Sequence, residues 1–162
     1  MSMTGRYLRV APEVISRIRA TPTDLLEVLY PEPEPTHYAA KQLDIDKTWH
    51  VIHFLLNDDP WEGTSPLFEA VLGGEPISDE DLGYGPARYL QPGQVAATAE
   101  ALQGISPKQL WERYDASRVK RAEIYWSDDP DSKDYALENF EALRQFFRSA
   151  AKAKEAVIVW LA

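Results

Sequence analysis

Six consecutive apolar residues, Ala156-Val157-Ile158-Val159-Trp160-Leu161, constrain the fold of this chain most. The run is too short for a helix of ordinary length and is rich in β-branched side chains. It reads as a strand covered on both faces. Just before it, Ala136, Phe140, Leu143, Phe147 and Ala150 recur at steps of four and three. That spacing predicts one apolar stripe on a long helix from Asp134 to Lys152. At the other end of the chain, Met3 to Val10 offers a second strand, with Tyr7, Leu8 and Val10 as its apolar content. A sheet built on these two strands must be closed by pairing between distant segments.

Between them, proline sets the punctuation. Pro12, Pro92 and Pro107 each suit the first turn of a helix, where the missing N–H would have been unpaired in any case. The first of these helices is expected to bury Val14, Ile15 and Ile18. The second buries Val95, Ala99 and Leu102, and the third buries Leu110, Trp111 and Tyr114. Thr21 is expected to cap a helix carrying Leu25, Leu26 and Leu29. Ser106 and Asp115 are expected as caps further on. Pro31-Glu32-Pro33-Glu34-Pro35 makes an extended connector. Pro66 to Leu72 reads as a short helix closed by Gly73-Gly74, and Ala87 to Leu90 as a short strand. These elements give an α/β layered domain with a small mixed sheet and six to seven helices. The length of 162 residues is that of a single domain, residues 1–162.

Charge and composition exclude several functions. A net charge of −9 opposes binding to a phosphate backbone, so no nucleic-acid partner is expected. The same charge can steer a basic protein partner toward the surface. Without cysteine there is neither a disulfide nor a thiolate-held metal, which fits a reducing cytoplasm. No stretch is long and apolar enough to span a membrane, and the N-terminal segment lacks the apolar run of a signal peptide.

The densest chemistry lies in Leu43-Asp44-Ile45-Asp46-Lys47-Thr48-Trp49-His50-Val51-Ile52-His53-Phe54-Leu55-Leu56. Asp44 or Asp46 is expected to cap a helix running to about Leu56. His50 and His53 share one side of that helix. Histidine titrates near neutral pH, so either is a candidate acid–base group, with Asp46 as a candidate partner. Metal binding is not expected, because His-Glu-x-x-His is absent and no cysteine is available. A second constellation is Gly83-Tyr84-Gly85-Pro86-Ala87-Arg88-Tyr89. There Arg88, between Tyr84 and Tyr89, suits a carboxylate or phosphate, or a structural ion pair. Asp44, Trp49, Tyr84, Arg88 and Tyr89 are therefore the candidate ligand-binding residues. No Walker loop, dinucleotide fingerprint or Gly-x-Ser-x-Gly is present, and no cofactor is expected. Asp128, Asp129, Asp131 and Asp134 lack the glycine and distal glutamate of a calcium loop and read as a solvated acidic loop. Arg113, Arg118, Lys120 and Arg121 form a small basic patch that balances neighbouring acids.

Taken together, several of these blocks resemble the YfbM-like family of bacterial proteins, a domain of unknown function. The resemblance is carried by the 43–56 block, by Ala70-Val71-Leu72-Gly73-Gly74 and by Asp81-Leu82-Gly83-Tyr84-Gly85-Pro86-Ala87-Arg88-Tyr89-Leu90. Glu123-Ile124-Tyr125, the terminal apolar run and the opening Met1-Ser2-Met3-x-Gly5 complete it. It covers essentially the whole chain and implies a three-layer (α/β/α) architecture. It implies no activity and no catalytic residue. Trp126 stands where the family pattern leads one to expect proline. Two functions follow as expectations. The first is a non-enzymatic, cytoplasmic protein-interaction module, for example an inhibitor or immunity-type protein for a basic partner. The alternative is a small-ligand-binding protein or hydrolase-type enzyme with a His/Asp/Arg cleft.

Overall fold

A computed structural model describes residues 2–162 of the chain. Its centre is a five-stranded sheet. β1 (Gly5–Val10) and β5 (Ala156–Leu161) form the long pair, with Tyr7 opposite Val159 and Leu8 opposite Ile158. β2 (Gln42–Asp44) extends the sheet beyond β1, and β4 (Arg88–Leu90) and β3 (Glu75–Pro76) extend it beyond β5, in the order β2-β1-β5-β4-β3. Each of the four pairings is antiparallel, so the expected mixed sheet is corrected to an antiparallel one. A run apolar on every residue more often marks a parallel strand. Here β5 earns the same pattern differently, because both faces of an antiparallel sheet are covered.

Alternation along the strands feeds two separate cores. Tyr7, Leu90, Val157 and Val159 face a cluster with residues of α4 (Trp49–Asn57), α5 (Pro92–Gln103) and α8 (Ser132–Lys152). Leu8, Val10, Tyr89, Ala156, Ile158 and Trp160 face a second cluster with α1 (Pro12–Ala20) and α2 (Leu25–Leu29). On α8 the five stripe residues are all buried. Tyr7 reaches into the first core, where its hydroxyl donates to the Ala70 carbonyl at 2.6 Å and its ring meets Phe146 and Phe147 edge-on.

Among the described residues there are eight α-helices, against the six or seven expected. The additional short helices include α3 (Tyr38–Lys41), a single turn after the Pro-Glu connector. The helices expected after Ser106 and Asp115 are α6 (Pro107–Trp111) and α7 (Ala116–Ala122). Ser106 and Asp115 cap α6 and α7 with their side chains, as expected. Thr21 makes no side-chain cap, because it ends α1 and enters a 3-10 turn, and Leu26 is exposed. The segment Pro66 to Leu72 forms only a 3-10 turn, Leu67–Ala70.

The start of α4 is pressed onto the start of β1. A Cβ on Gly5 would lie 2.9 Å from the Trp49 Cβ and 3.0 Å from Ile45 Cγ1, so a side chain there would force the two apart. The indole N–H of Trp49 donates to the Met3 carbonyl at 3.0 Å across the same contact. This close seat places both histidines of α4 in the interior.

Candidate functional site

α4 is entered through a 3-10 turn, Asp46–Thr48, and neither aspartate caps it through its side chain. The expected cap is not made. Asp46 has a positive φ of 51°, and its amide donates instead to Asp44 Oδ1 at 2.7 Å. Its own Oδ2 accepts the Tyr135 hydroxyl at 2.5 Å, tying the start of α4 to the start of α8. Asp44 lies 3.6 Å from Arg6. Neither aspartate is bonded to a histidine.

His50 and His53 are 1 % and 0 % exposed, and both rings are engaged at both nitrogens. His50 Nε2 donates to the Pro60 carbonyl at 2.8 Å, while Nδ1 accepts the Tyr125 amide at 2.7 Å. A carbonyl can only accept and an amide N–H can only donate, so these partners specify the neutral Nε2–H tautomer. The ring lies flat on Trp49, 4.4 Å between centroids, with Trp61 at 4.5 Å. His53 repeats the pattern. Nε2 donates to the Glu62 carbonyl at 3.1 Å and Nδ1 faces the Asn57 amide nitrogen at 3.3 Å. Burial pulls both histidines below their ordinary pKa, and brings His53 down to about 4, with the Glu62 carbonyl acting against it.

The two rings thus hold the loop after α4 against the helix. Within that loop, Asp59 Oδ1 accepts the amides of Trp61 and Glu62 at 2.9 and 2.8 Å, and those bonds hold its carboxyl below the usual range. Gly63 is required by close approach: a Cβ there would stand 2.3 Å from Asn57 Oδ1.

Arg88 lies near His53 but shares no hydrogen bond with it. Its guanidinium donates to the carbonyls of Gly73 at 2.9 Å and Val71 at 3.2 Å. Among the described residues it has no carboxylate partner, so the expected structural ion pair is not formed. Tyr89, the next residue on the strand, faces the other core; its hydroxyl donates to Glu75 Oε2 at 2.8 Å and Arg19 lies over its ring. The strand alternation therefore separates Arg88 from Tyr89. Tyr84 sits in a turn held by Asp81, whose Oδ1 accepts the amides of Gly83 and Gly85. Of the basic patch, Arg118 pairs with Asp58 and Arg113 donates to the Leu55 carbonyl at 3.1 Å.

Four residues outside the sequence-based candidates shape this region. Glu69 is 9 % exposed; its Oε1 accepts the Ser65 hydroxyl at 2.6 Å, while Oε2 is buried without a partner. Tyr125, Trp126 and Tyr135 line a cleft of about 360 Å³ with Lys47 and Asp129. Since His50 holds the Tyr125 amide and Asp46 holds the Tyr135 hydroxyl, the buried helix start positions two walls of that cleft. An aromatic pair running into an aspartate-rich loop, Tyr125-Trp126-Ser127-Asp128-Asp129, was the available signal. Among the described residues, no three or more histidine, aspartate or glutamate side chains gather as a metal site. No described helix is long and apolar enough to cross a membrane.

Residues 1–160 match the family described as "Domain of unknown function (DUF1877)". Protein YfbM of Escherichia coli (strain K12) is 28% identical over 130 residues, 77% of this chain and 74% of that protein. The crystal structure of YfbM from Escherichia coli, a protein of unknown function, matches with a TM-score of 0.72 and 20% identity. That match covers 99% of this chain and 100% of the other, and at such identity it speaks for the fold.

Proposed function

This chain belongs to the YfbM-like family of domains of unknown function (DUF1877), and we propose that it is a cytoplasmic, non-enzymatic module that binds a basic protein. One domain over residues 1–162, with helices on both faces of the sheet as a three-layer arrangement, is the scaffold of this reading. The observation that carries it is the commitment of the histidines. All four ring nitrogens of His50 and His53 have protein partners, which leaves neither ring a free nitrogen for proton transfer. The net charge of −9 supplies the long-range attraction for a basic surface. Inhibition of a basic effector is one form such binding takes. The alternative, a small-ligand or hydrolase-type site at His53 and Arg88, draws on the half-buried Arg88 without a carboxylate.

The test is capture of the tagged protein from native lysate, followed by reconstitution with the purified partner. The expected partner is basic, its affinity falls as salt rises, and His53→Gln binds it as well as the parent chain. Recovery of the protein alone, together with a small molecule that stabilises the parent chain but not folded His53→Gln, would contradict the proposal and favour the alternative.

A further inference from the structure

The cleft between α4 and α8 has a chemistry that the buried histidines do not explain. Residues 123–138 carry six carboxylates, Glu123, Asp128, Asp129, Asp131, Asp134 and Glu138, and one cation, Lys133. Among the described residues, none of the six takes part in an ion pair. The loop that bears Asp128, Asp129 and Asp131 is nonetheless ordered by its own bonds. Ser127 Oγ donates to Asp129 Oδ2 at 2.9 Å, Asp129 N donates to Ser132 Oγ at 3.1 Å, and that hydroxyl donates to the Ser127 carbonyl at 2.7 Å.

Beside this loop the aromatic walls have their polar ends occupied. The Tyr125 hydroxyl accepts the Met3 amide at 3.3 Å, the Trp126 indole N–H donates to the Tyr114 hydroxyl at 3.3 Å, and the Tyr135 hydroxyl is held by Asp46. What remains for a ligand is ring carbon surface with one carboxylate, Asp129, on the lining and the other acids in the adjoining residues. That combination suits a planar cation, which stacks on aromatic rings while its N–H groups pair with carboxylates. A volume of about 360 Å³ is at the small end for a ligand cavity and fits one side chain better than a large cofactor. Lys47 also lines the cleft and opposes a cation, but it stands alone against Asp129 and the acids of the adjoining loop. Phosphate groups and anionic lipid surfaces are repelled by the same field.

We propose that this cleft receives an arginine side chain from a basic protein partner. The proposal rests on the interaction reading above and gives it a location. Arginine is favoured over lysine because its flat guanidinium can stack and pair at once, whereas an ammonium is a strongly hydrated point charge.

The experiment titrates the ¹⁵N-labelled full chain with an oligo-arginine peptide at low salt. It follows the five tryptophan indole signals, with Trp126→Phe assigning one of them. The expected result is a saturable shift of the Trp126 signal. Tyr135→Ala and the triple change Asp128→Asn, Asp131→Asn, Asp134→Asn should each weaken it by about tenfold or more. The triple change leaves the bonds of Asp129 intact. Oligo-glutamate should produce no shift. Equal binding of oligo-lysine overturns the choice of arginine. Shifts elsewhere with Trp126 unmoved overturn the cleft and leave the basic-partner reading standing. No shift at any signal overturns both.

Discussion

The loop after α4 and the loop before α8 are both rich in aspartate and aromatic residues, yet they treat polar groups in opposite ways. In the first, polar atoms are engaged within the fold: the Asp59 carboxylate holds two amides of its own turn, and the buried rings of His50 and His53 hold backbone carbonyls. In the second, the carboxylates stay exposed and without ion-pair partners among the described residues, while aromatic carbon lines a cleft. The crowding of histidine and aspartate that suggests chemistry in a sequence therefore belongs to the region that builds the fold. The plainer acidic loop is where the proposed partner would be met.

If this contrast holds, substitutions should hurt stability in the first region and spare it in the second. His50→Ala should have the largest effect. It removes a buried ring and leaves the Pro60 carbonyl and the Tyr125 amide without partners, so a loss of roughly 3–5 kcal/mol is expected in chemical denaturation. A loss below about 1 kcal/mol would break the contrast at its strongest point.

Acid should come next. Unfolded histidine titrates near 6.5, and His53 in the fold near 4. Between those values the unfolded chain holds a proton that the folded chain does not. Stability therefore falls as pH drops from about 6.5 to about 4, and levels off below, by a total on the order of 3 kcal/mol for this residue. His50, also lowered by burial, acts in the same direction. Melting curves across this range should show the slope, and His53→Gln, which keeps a donor for the Glu62 carbonyl, should flatten part of it.

Gly63→Ala probes the same clamp more gently. The new methyl must displace the Asn57 side chain from beside His53, and about 1–2 kcal/mol should be lost. Where the acidic loop runs into α8, Asp131→Asn and Asp134→Asn together should change stability by less than about 0.5 kcal/mol, measured by the same denaturation.

What could be read in advance was mostly local. The α8 stripe, the proline-led helix starts and the caps at Ser106 and Asp115 depend on residues within one or two turns, and they appear as expected. The strands β2 and β3 are three and two residues long, and pairing with distant β1 and β4 defines them, so no periodicity announces them. The antiparallel sense was hidden because β5 has two cores to fill. At the candidate site the residue types were legible, but their partners were not. Tyr125 is 75 residues from His50, and the donor–acceptor pattern that specifies its tautomer exists only after folding. Asp46 resembled a cap by position, and a positive φ together with the Tyr135 hydroxyl gave it another role.

The central claim is that His50 and His53 are neutral structural groups protonated at Nε2. Imidazole ¹⁵N chemical shifts of the folded chain, followed from pH 7.5 to about 5, test this directly. The account predicts distinct Nδ1 and Nε2 resonances with the proton on Nε2 for both residues, and His53 still unprotonated near pH 5. An imidazolium signal from His53 in folded protein near pH 6.5, or a proton on Nδ1 of either residue at pH 7.5, would contradict it.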